Sequence, residues 1–175
     1  MRKNIDTIGV LVGRFCPHHN GHTALINEMI HNHGHLGTLI VVGSANSPIS
    51  ENVPFTYKER TDMLRTIYPD IKIAGIPDFT GDDSLWLSFL DDVIKLTFRA
   101  MRRRRVYFYA GSIEDVEWYH KLGRDVVIVN RGTEGVSGTL IRERISQGKS
   151  VETLMDSRLN WVGDLFRKRI INIGE

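Results

Sequence analysis

With one cysteine, Cys16, the chain has no means of building an internal disulfide framework or a zinc site of several cysteines, which fits a reducing compartment. No apolar run approaches the ~20 residues of a membrane span, and Met1-Arg2-Lys3-Asn4 leads straight into a short strand-like run, not the apolar region of a signal peptide. A cytoplasmic chain without membrane association is expected. Charge of one sign is also scarce: 23 Lys and Arg against 21 Asp and Glu leave a net +2, too weak an excess to imply nucleic acid. No linker, low-complexity tract or internal repeat divides the 175 residues, so one domain over 1–175 is expected, with 41% hydrophobic residues to form its core. The basic residues are unevenly spread. Arg102 to Arg105 form a run that reads either as a solvated connection or as a contact for an acidic polymer or nucleotide.

What is present is an alternation of short β-branched runs with helical spacing. Thr7 to Val12, ended by Gly13, reads as a buried strand, and His22 to Met29 places Leu25, Ile26 and Met29 on one helical face. Leu36 to Val42 is a second strand. Thr56 with Glu59 forms a capping-box pattern opening a helix to about Ile67. Ile71 to Ile76 is a third strand, followed by a helix capped at Ser84 and reaching about Phe98. Val106 to Ala110 and Asp125 to Val129 are the fourth and fifth, with a short helix over Asp115 to Leu122 between them. Repeated strand–helix units of this length predict an α/β, Rossmann-like open parallel sheet of five strands with helices on both faces and a C-terminal helical segment.

In such a sheet ligands bind beyond the carboxyl ends of the strands. Those positions hold Gly13-Arg14-Phe15, Gly43-Ser44-Ala45-Asn46, Asp78 through Trp86, Gly111-Ser112 and Arg131 through Arg142. Two common phosphate motifs are missing. Gly148-Lys149-Ser150 looks like the end of a Walker loop, but that loop's first glycine would fall at Glu143 and the stretch follows a helix. Gly132, Gly135 and Gly138 are evenly spaced and no G-x-G-x-x-G follows the first strand. The first strand leads instead into Gly13-Arg14-Phe15-Cys16-Pro17-His18-His19-Asn20-Gly21-His22. His19 and His22, three apart at a helix start, lie on one face above its positive end, a geometry suited to a polyphosphate, while Gly21 lets a nucleotide approach the backbone. A histidine pair at this spacing also occurs as plain surface or packing. Its place directly after strand one makes it informative.

His31, His33 and His35 form a second cluster, which reads as a helix terminus and turn in preference to a metal site; no protein metal ligand is assigned. Ser137 can cap a late helix whose first N–H groups, from Gly138 and Thr139, point at an anion, with Arg142 one turn on. An ordinary capped helix with a solvated arginine is the alternative.

Together, His19-Asn20-Gly21-His22 and Ser137-Gly138-Thr139-Leu140-Ile141-Arg142 resemble the H-x-G-H and S-[GST]-T-x-[IV]-R motifs of the nucleotidyltransferase superfamily. The form G-R-F-x-P-x-H-x-G-H is similar to nicotinamide mononucleotide (NMN) adenylyltransferases of the archaeal type and those fused to a Nudix domain in some bacteria. Gly43 to Pro48 with Pro54 to Arg60, and Asp78-Phe79 with Asp83 to Trp86, resemble that branch too. The chain departs from the pattern at Cys16, at His18 and in Ile49 to Val53, which lacks a basic residue usual there. No Nudix domain is expected, since the chain ends soon after the Ser137 helix.

The resemblance implies attack by the 5′-phosphate of NMN on the α-phosphorus of ATP, giving NAD and pyrophosphate. It implies catalytic roles for His19, His22 and Arg142, and nucleotide contacts at Gly13, Arg14, Phe15, Gly21, Gly43, Ser44, Asn46, Asp78, Trp86, Gly111, Ser137, Gly138 and Thr139. Mg²⁺ arrives with ATP. Trp86 lies near the nicotinamide ring or anchors in the core; Trp118 and Trp161 read as core or interface. Relatives commonly form homo-oligomers, and Trp161, Leu165 and Phe166 offer a stripe for an interface or for core packing. Two rival readings are transfer to another phosphorylated acceptor (nicotinate mononucleotide, phosphopantetheine, flavin mononucleotide or a polyol phosphate) and a nucleotide sensor without turnover.

Overall fold

The computed structural model describes residues 7–79, 81–99, 105–130 and 135–173. The N-terminal Met1 to Asn4, the arginines at 102–104 and the stretch 131–134 that includes Gly132 lie outside the described residues. The strands are β1 (Thr7–Gly13), β2 (Thr38–Val42), β3 (Lys72–Gly75), β4 (Arg105–Ala110) and β5 (Asp125–Ile128). The helices are α1 (Asn20–His33), α2 (Tyr57–Ile67), α3 (Asp83–Thr97), α4 (Glu117–Lys121), α5 (Gly138–Ser146) and α6 (Trp161–Ile173). All strand pairs are parallel and the order is β3-β2-β1-β4-β5. The chain thus works outward from β1 to β3, then returns to the other side of β1. That reversal opens a crevice at the carboxyl ends of β1 and β4, where an open parallel sheet binds its ligand.

Alternation along the strands divides the core into two layers. Val10, Leu39, Val41 and Phe108 face α3 and α4, while Leu11, Ile40, Val42 and Tyr109 face α1 and α2. In α1, Leu25, Ile26 and Met29 are at most 3% exposed. Each such side chain stabilises by roughly 1.5–3 kcal/mol on burial, against about 1 kcal/mol for a cap. Packing therefore places this helix, and its cap decides where it begins. A third cluster joins Phe55 and Met63 to Ile141, Ile145, Val162 and Phe166, seating α5 and α6 against α2. Arg169 reinforces it, donating to Glu59 at 2.7 and 2.9 Å and to the Pro54 carbonyl at 2.8 Å. The Trp161–Leu165–Phe166 stripe accordingly splits: Phe166 packs on Phe55 and Trp161 is 39% exposed.

The capping box at Thr56 and Glu59 forms as expected. The cap of α3 is Asp82, not Ser84: its Oδ1 accepts the Leu85 N–H at 2.8 Å, so the helix starts one residue before Ser84. At the far end of α1, Gly34 takes a positive φ of 68° and its N–H caps the Ile30 carbonyl. His33 turns inward there, with Nδ1 at 2.7 Å from the Thr7 hydroxyl and Nε2 at 2.8 Å from the Tyr109 hydroxyl. Gly9 allows this, since a Cβ there would lie 2.6 Å from the His33 ring.

Candidate active site

After Gly13 the chain turns sharply through Phe15, a non-glycine residue held at φ 53°. The Phe15 side chain is 1% exposed, so it supports the site from below, packing on His22 with ring centroids 4.6 Å apart. His19 is the N-cap of α1 and His22 its third helical residue. His19 Nδ1 accepts the Gly21 N–H at 3.1 Å, and His22 Nδ1 accepts the His19 N–H at 3.3 Å. Two imidazoles thus complete a capping box usually built from Ser or Thr and Glu. The consequence is chemical. An Nδ1 that accepts a backbone N–H leaves the ring proton on Nε2, so both rings are oriented as Nε2–H donors at the positive end of a helix. The rings stack at 3.8 Å.

Ser137 caps α5, its hydroxyl accepting the Leu140 N–H at 3.1 Å. Arg142, one turn on, donates from Nη1 to the Cys16 carbonyl at 2.6 Å, a contact across 126 positions of sequence. Gly138 lies against the same carbonyl; a Cβ there would approach it to 2.6 Å. The Ser137–Arg142 segment and the histidine loop are therefore in contact, and Gly138 is what permits their approach. The Thr139 hydroxyl lies 3.4 Å from Arg142 Nη2.

A residue the sequence reading passed over fastens the floor. Arg60 is completely buried and donates to the carbonyls of Arg14 at 3.0 Å, Gly43 at 2.7 Å and Ser44 at 2.9 Å. Its signal was legible: an arginine on the same face of α2 as Met63 and Leu64, where the helical period calls for an apolar side chain. Burial lowers the pKa of both Arg60 and Arg142, and repulsion from the exposed Arg14 adds to this in each. Three guanidiniums thus make this end of the crevice strongly positive. Ser44 sits at φ 51°, and the Gly43 N–H bonds the Gly13 carbonyl at 2.9 Å. Asn46 spends its side-chain oxygen on the Asp78 N–H at 2.9 Å, and the Ser47 hydroxyl donates to the Asp78 carboxylate at 3.0 Å. In the 49–53 segment Val53 is buried and its N–H bonds the Ser50 hydroxyl.

Beside these loops opens a cavity of about 580 Å³. Its floor is Val10 to Gly13 of β1 and Phe108 to Gly111 at the end of β4. Asp78, Asp83 and Trp86 form one wall, Asp115 and Trp118 the other, and His22 marks its border. Gly13, Asp78, Trp86 and Gly111 thus share one cavity, while Arg14, Gly43, Ser44 and the Ser137–Arg142 segment lie outside its lining. Trp118, read from sequence as core or interface, packs against the core layer and also lines the cavity, with its ring 5.5 Å from that of Trp86.

Beneath the paired histidines, His18 is fully buried, and among the described residues neither ring nitrogen has a hydrogen-bond partner. Burial, and then the neighbouring His19, depress its pKa to about 3. The native ring stays neutral while the unfolded one titrates near 6.5, so stability is full above that pH and lost as pH falls from 6.5 toward 3. By pH 5 the loss amounts to about 2 kcal/mol. His18→Phe is expected to remove this acid-sensitive part, so that the variant's stability advantage in chemical denaturation widens between pH 7.5 and pH 5. Parallel curves for variant and wild type would show that His18 is not the group responsible.

Comparison with known proteins agrees with this geometry. The chain is 30% identical to a nicotinamide-nucleotide adenylyltransferase of Methanospirillum hungatei over 148 residues, covering 81% of this chain and 78% of that one. It is 28% identical to the protein of that name from Methanoculleus marisnigri, covering 84% of each. Its fold is similar to that of a bifunctional NMN adenylyltransferase/ADP ribose pyrophosphatase from Francisella tularensis, solved with AMP and a manganese ion. That match has a TM-score of 0.75 at 18% identity and covers 94% of this chain but only 52% of the other, so this chain spans about half of that protein. With Arg142 bonded to the Cys16 carbonyl, three residues ahead of His19, and residues 10–144 matching the family, the chain belongs to the cytidylyltransferase-like family.

Proposed function

We propose that this chain is a nicotinamide-nucleotide adenylyltransferase, joining the AMP moiety of ATP to NMN with release of pyrophosphate. The observation that carries the reading is the contact of Arg142 with the Cys16 carbonyl at 2.6 Å, which brings a guanidinium to the loop that presents His19 and His22. An oxygen of the NMN 5′-phosphate attacks the α-phosphorus of ATP; the new P–O bond forms as the bond to the β-phosphate oxygen breaks. That nucleophile is ionised at neutral pH, so no general base is needed, and catalysis rests on alignment and on neutralising the charge that builds on the α-phosphate and leaving group. His19 and His22 donate Nε2–H groups to that charge and Arg142 supplies a fixed cation. Arg14 holds phosphate at the exposed lip, and the N–H groups of Gly138 and Thr139 at the Ser137-capped helix receive the β- and γ-phosphates.

A divalent cation, Mg²⁺ carried with ATP, neutralises part of the triphosphate charge. Among the described residues no group of three or more His, Cys, Asp or Glu is placed to hold a metal ion. The acceptor fits the cavity walled by Trp86 and Asp78. The segment 49–53 brings no basic side chain, and the buried Arg60 together with Arg14 supplies positive charge to the same loops. Among the described residues no helix is long and apolar enough to cross a membrane. The test is to incubate the protein with Mg-ATP and a panel of phosphorylated acceptors while following pyrophosphate. Release with NMN, with NAD as product, is expected. Release only with a different acceptor, or nucleotide binding without release, would overturn the reading in favour of a related transferase or a sensor respectively.

A further inference from the structure

We propose that Asn20 is a positioning residue: by bonding the segment between α5 and α6 it fixes the orientation in which the first turn of α1 presents His19 and His22 to the reacting phosphates. This rests on the reading of the chain as an adenylyltransferase and adds a residue to which that reading gives no role. Asn20, the first residue of α1, spends two donors on neighbouring carbonyls: its backbone N–H bonds Leu154 at 2.9 Å and its side-chain Nδ2 bonds Thr153 at 3.0 Å. The next N–H groups are spent inside the turn. Gly21 donates to His19 Nδ1, and His22 and Thr23 donate to the His19 carbonyl at 2.8 and 3.1 Å. The start of α1 therefore meets a phosphate through imidazole N–H groups, and the direction of the turn decides where those donors lie.

The segment that Asn20 grips is itself fastened to α5. Arg144 donates from Nε to the Ser150 carbonyl at 2.9 Å, the Lys149 N–H bonds the Arg144 carbonyl at 2.8 Å, and the Leu154 N–H closes a turn on the Val151 carbonyl at 2.9 Å. Met155 is buried in the cluster that holds Ile141 and Ile145, with Val151 and Leu154 packed against it. The segment and α5 thus form one body, the body that carries Ser137 and Arg142. It holds the histidine loop at two places. Arg142 bonds the carbonyl of Cys16, ahead of His19, while Thr153 and Leu154 hold Asn20, just after it. A single hydrogen-bonded point is a pivot, whereas points on both sides of His19 stop the turn from rotating. A misplacement of about 1 Å costs roughly a hundredfold in rate. Asn20 is half-buried and its bond to Thr153 is open to solvent, so losing that bond costs little stability while freeing the rotation.

The experiment measures kcat and the KM values for ATP and NMN, by pyrophosphate release, in the wild type, Asn20→Ala and Phe166→Leu. Nitrogen-15 imidazole spectra of the same proteins report which ring nitrogen carries the proton. Asn20→Ala keeps the backbone bond to Leu154 and loses the side-chain bond to Thr153. Its kcat is expected to fall by roughly 10- to 100-fold. Both KM values should stay at the wild-type level, because Arg14 and the N-terminus of α5, which hold the substrates, are untouched. His19 and His22 should keep the proton on Nε2, since the capping box does not use the lost bond. Phe166→Leu loosens the packing of α6 on Phe55 without touching Asn20, and should retain wild-type kcat at a temperature where it is folded. An unchanged kcat in Asn20→Ala, or a rise in KM in its place, would overturn the proposal. Mixed imidazole tautomers in Asn20→Ala, or an equal fall of kcat in Phe166→Leu, would also overturn it, by showing that the loss comes from an unravelled turn or from general instability. Wild-type protein that releases no pyrophosphate with NMN would instead sink the parent reading.

Discussion

Replacing His22 with alanine is expected to lower turnover by roughly two to four orders of magnitude, the size of effect that follows loss of one preorganised donor to a charged transition state. The structure separates this from a folding defect. His22 contributes one half of the α1 capping box, worth about 1 kcal/mol, whereas the helix is held by the buried Leu25, Ile26 and Met29. The variant should thus lose no more than about 1–2 kcal/mol in denaturant unfolding while being nearly inactive under saturating substrate. Single-turnover measurement of pyrophosphate release would falsify the assignment by showing wild-type rates. A deep loss of stability would instead mean that His22 acts through the fold.

Arg60 should behave in the opposite way. Arg60→Leu removes the donor to the carbonyls of Arg14, Gly43 and Ser44 together. An unsatisfied buried acceptor costs about 1–3 kcal/mol, so three of them make a loss of roughly 3–9 kcal/mol, enough to threaten a marginally stable chain. Turnover should fall with stability, because the loops after β1 and β2 lose the cation that holds them. Arg60→Lys keeps the charge but cannot span three acceptors, and should recover only part of either quantity. The comparison needs only denaturation midpoints and turnover at a temperature where each variant remains folded. A cost under about 1 kcal/mol for Arg60→Leu would mean that water replaces the guanidinium at little expense.

Much of this architecture was legible because it is local. The β-branched runs and the helical spacing of Leu25, Ile26 and Met29 reflect contacts within one element, and the Thr56–Glu59 box closes over four residues. The local rule placed the cap of α3 at Ser84, two residues late; the bond from the Leu85 N–H to the Asp82 carboxylate sets it. The histidine motif was legible as a pattern, but the use of its Nδ1 atoms to cap the helix was not, because that depends on ring orientation. Trp118 gave no signal by spacing, since lining a cavity is a property of what stands opposite.

By itself, then, the order of residues determined the alternation of strands and helices and the two motifs that mark the family, all of which depend on periodicity and on residue type at short range. Only the tertiary structure decided that β4 returns beside β1, and hence where the crevice opens. It also decided that Arg142 reaches the Cys16 carbonyl and that a buried Arg60 holds two loops at once. Those outcomes join positions far apart in the chain, and their partners are backbone carbonyls, which every residue possesses and which therefore leave no mark in a sequence.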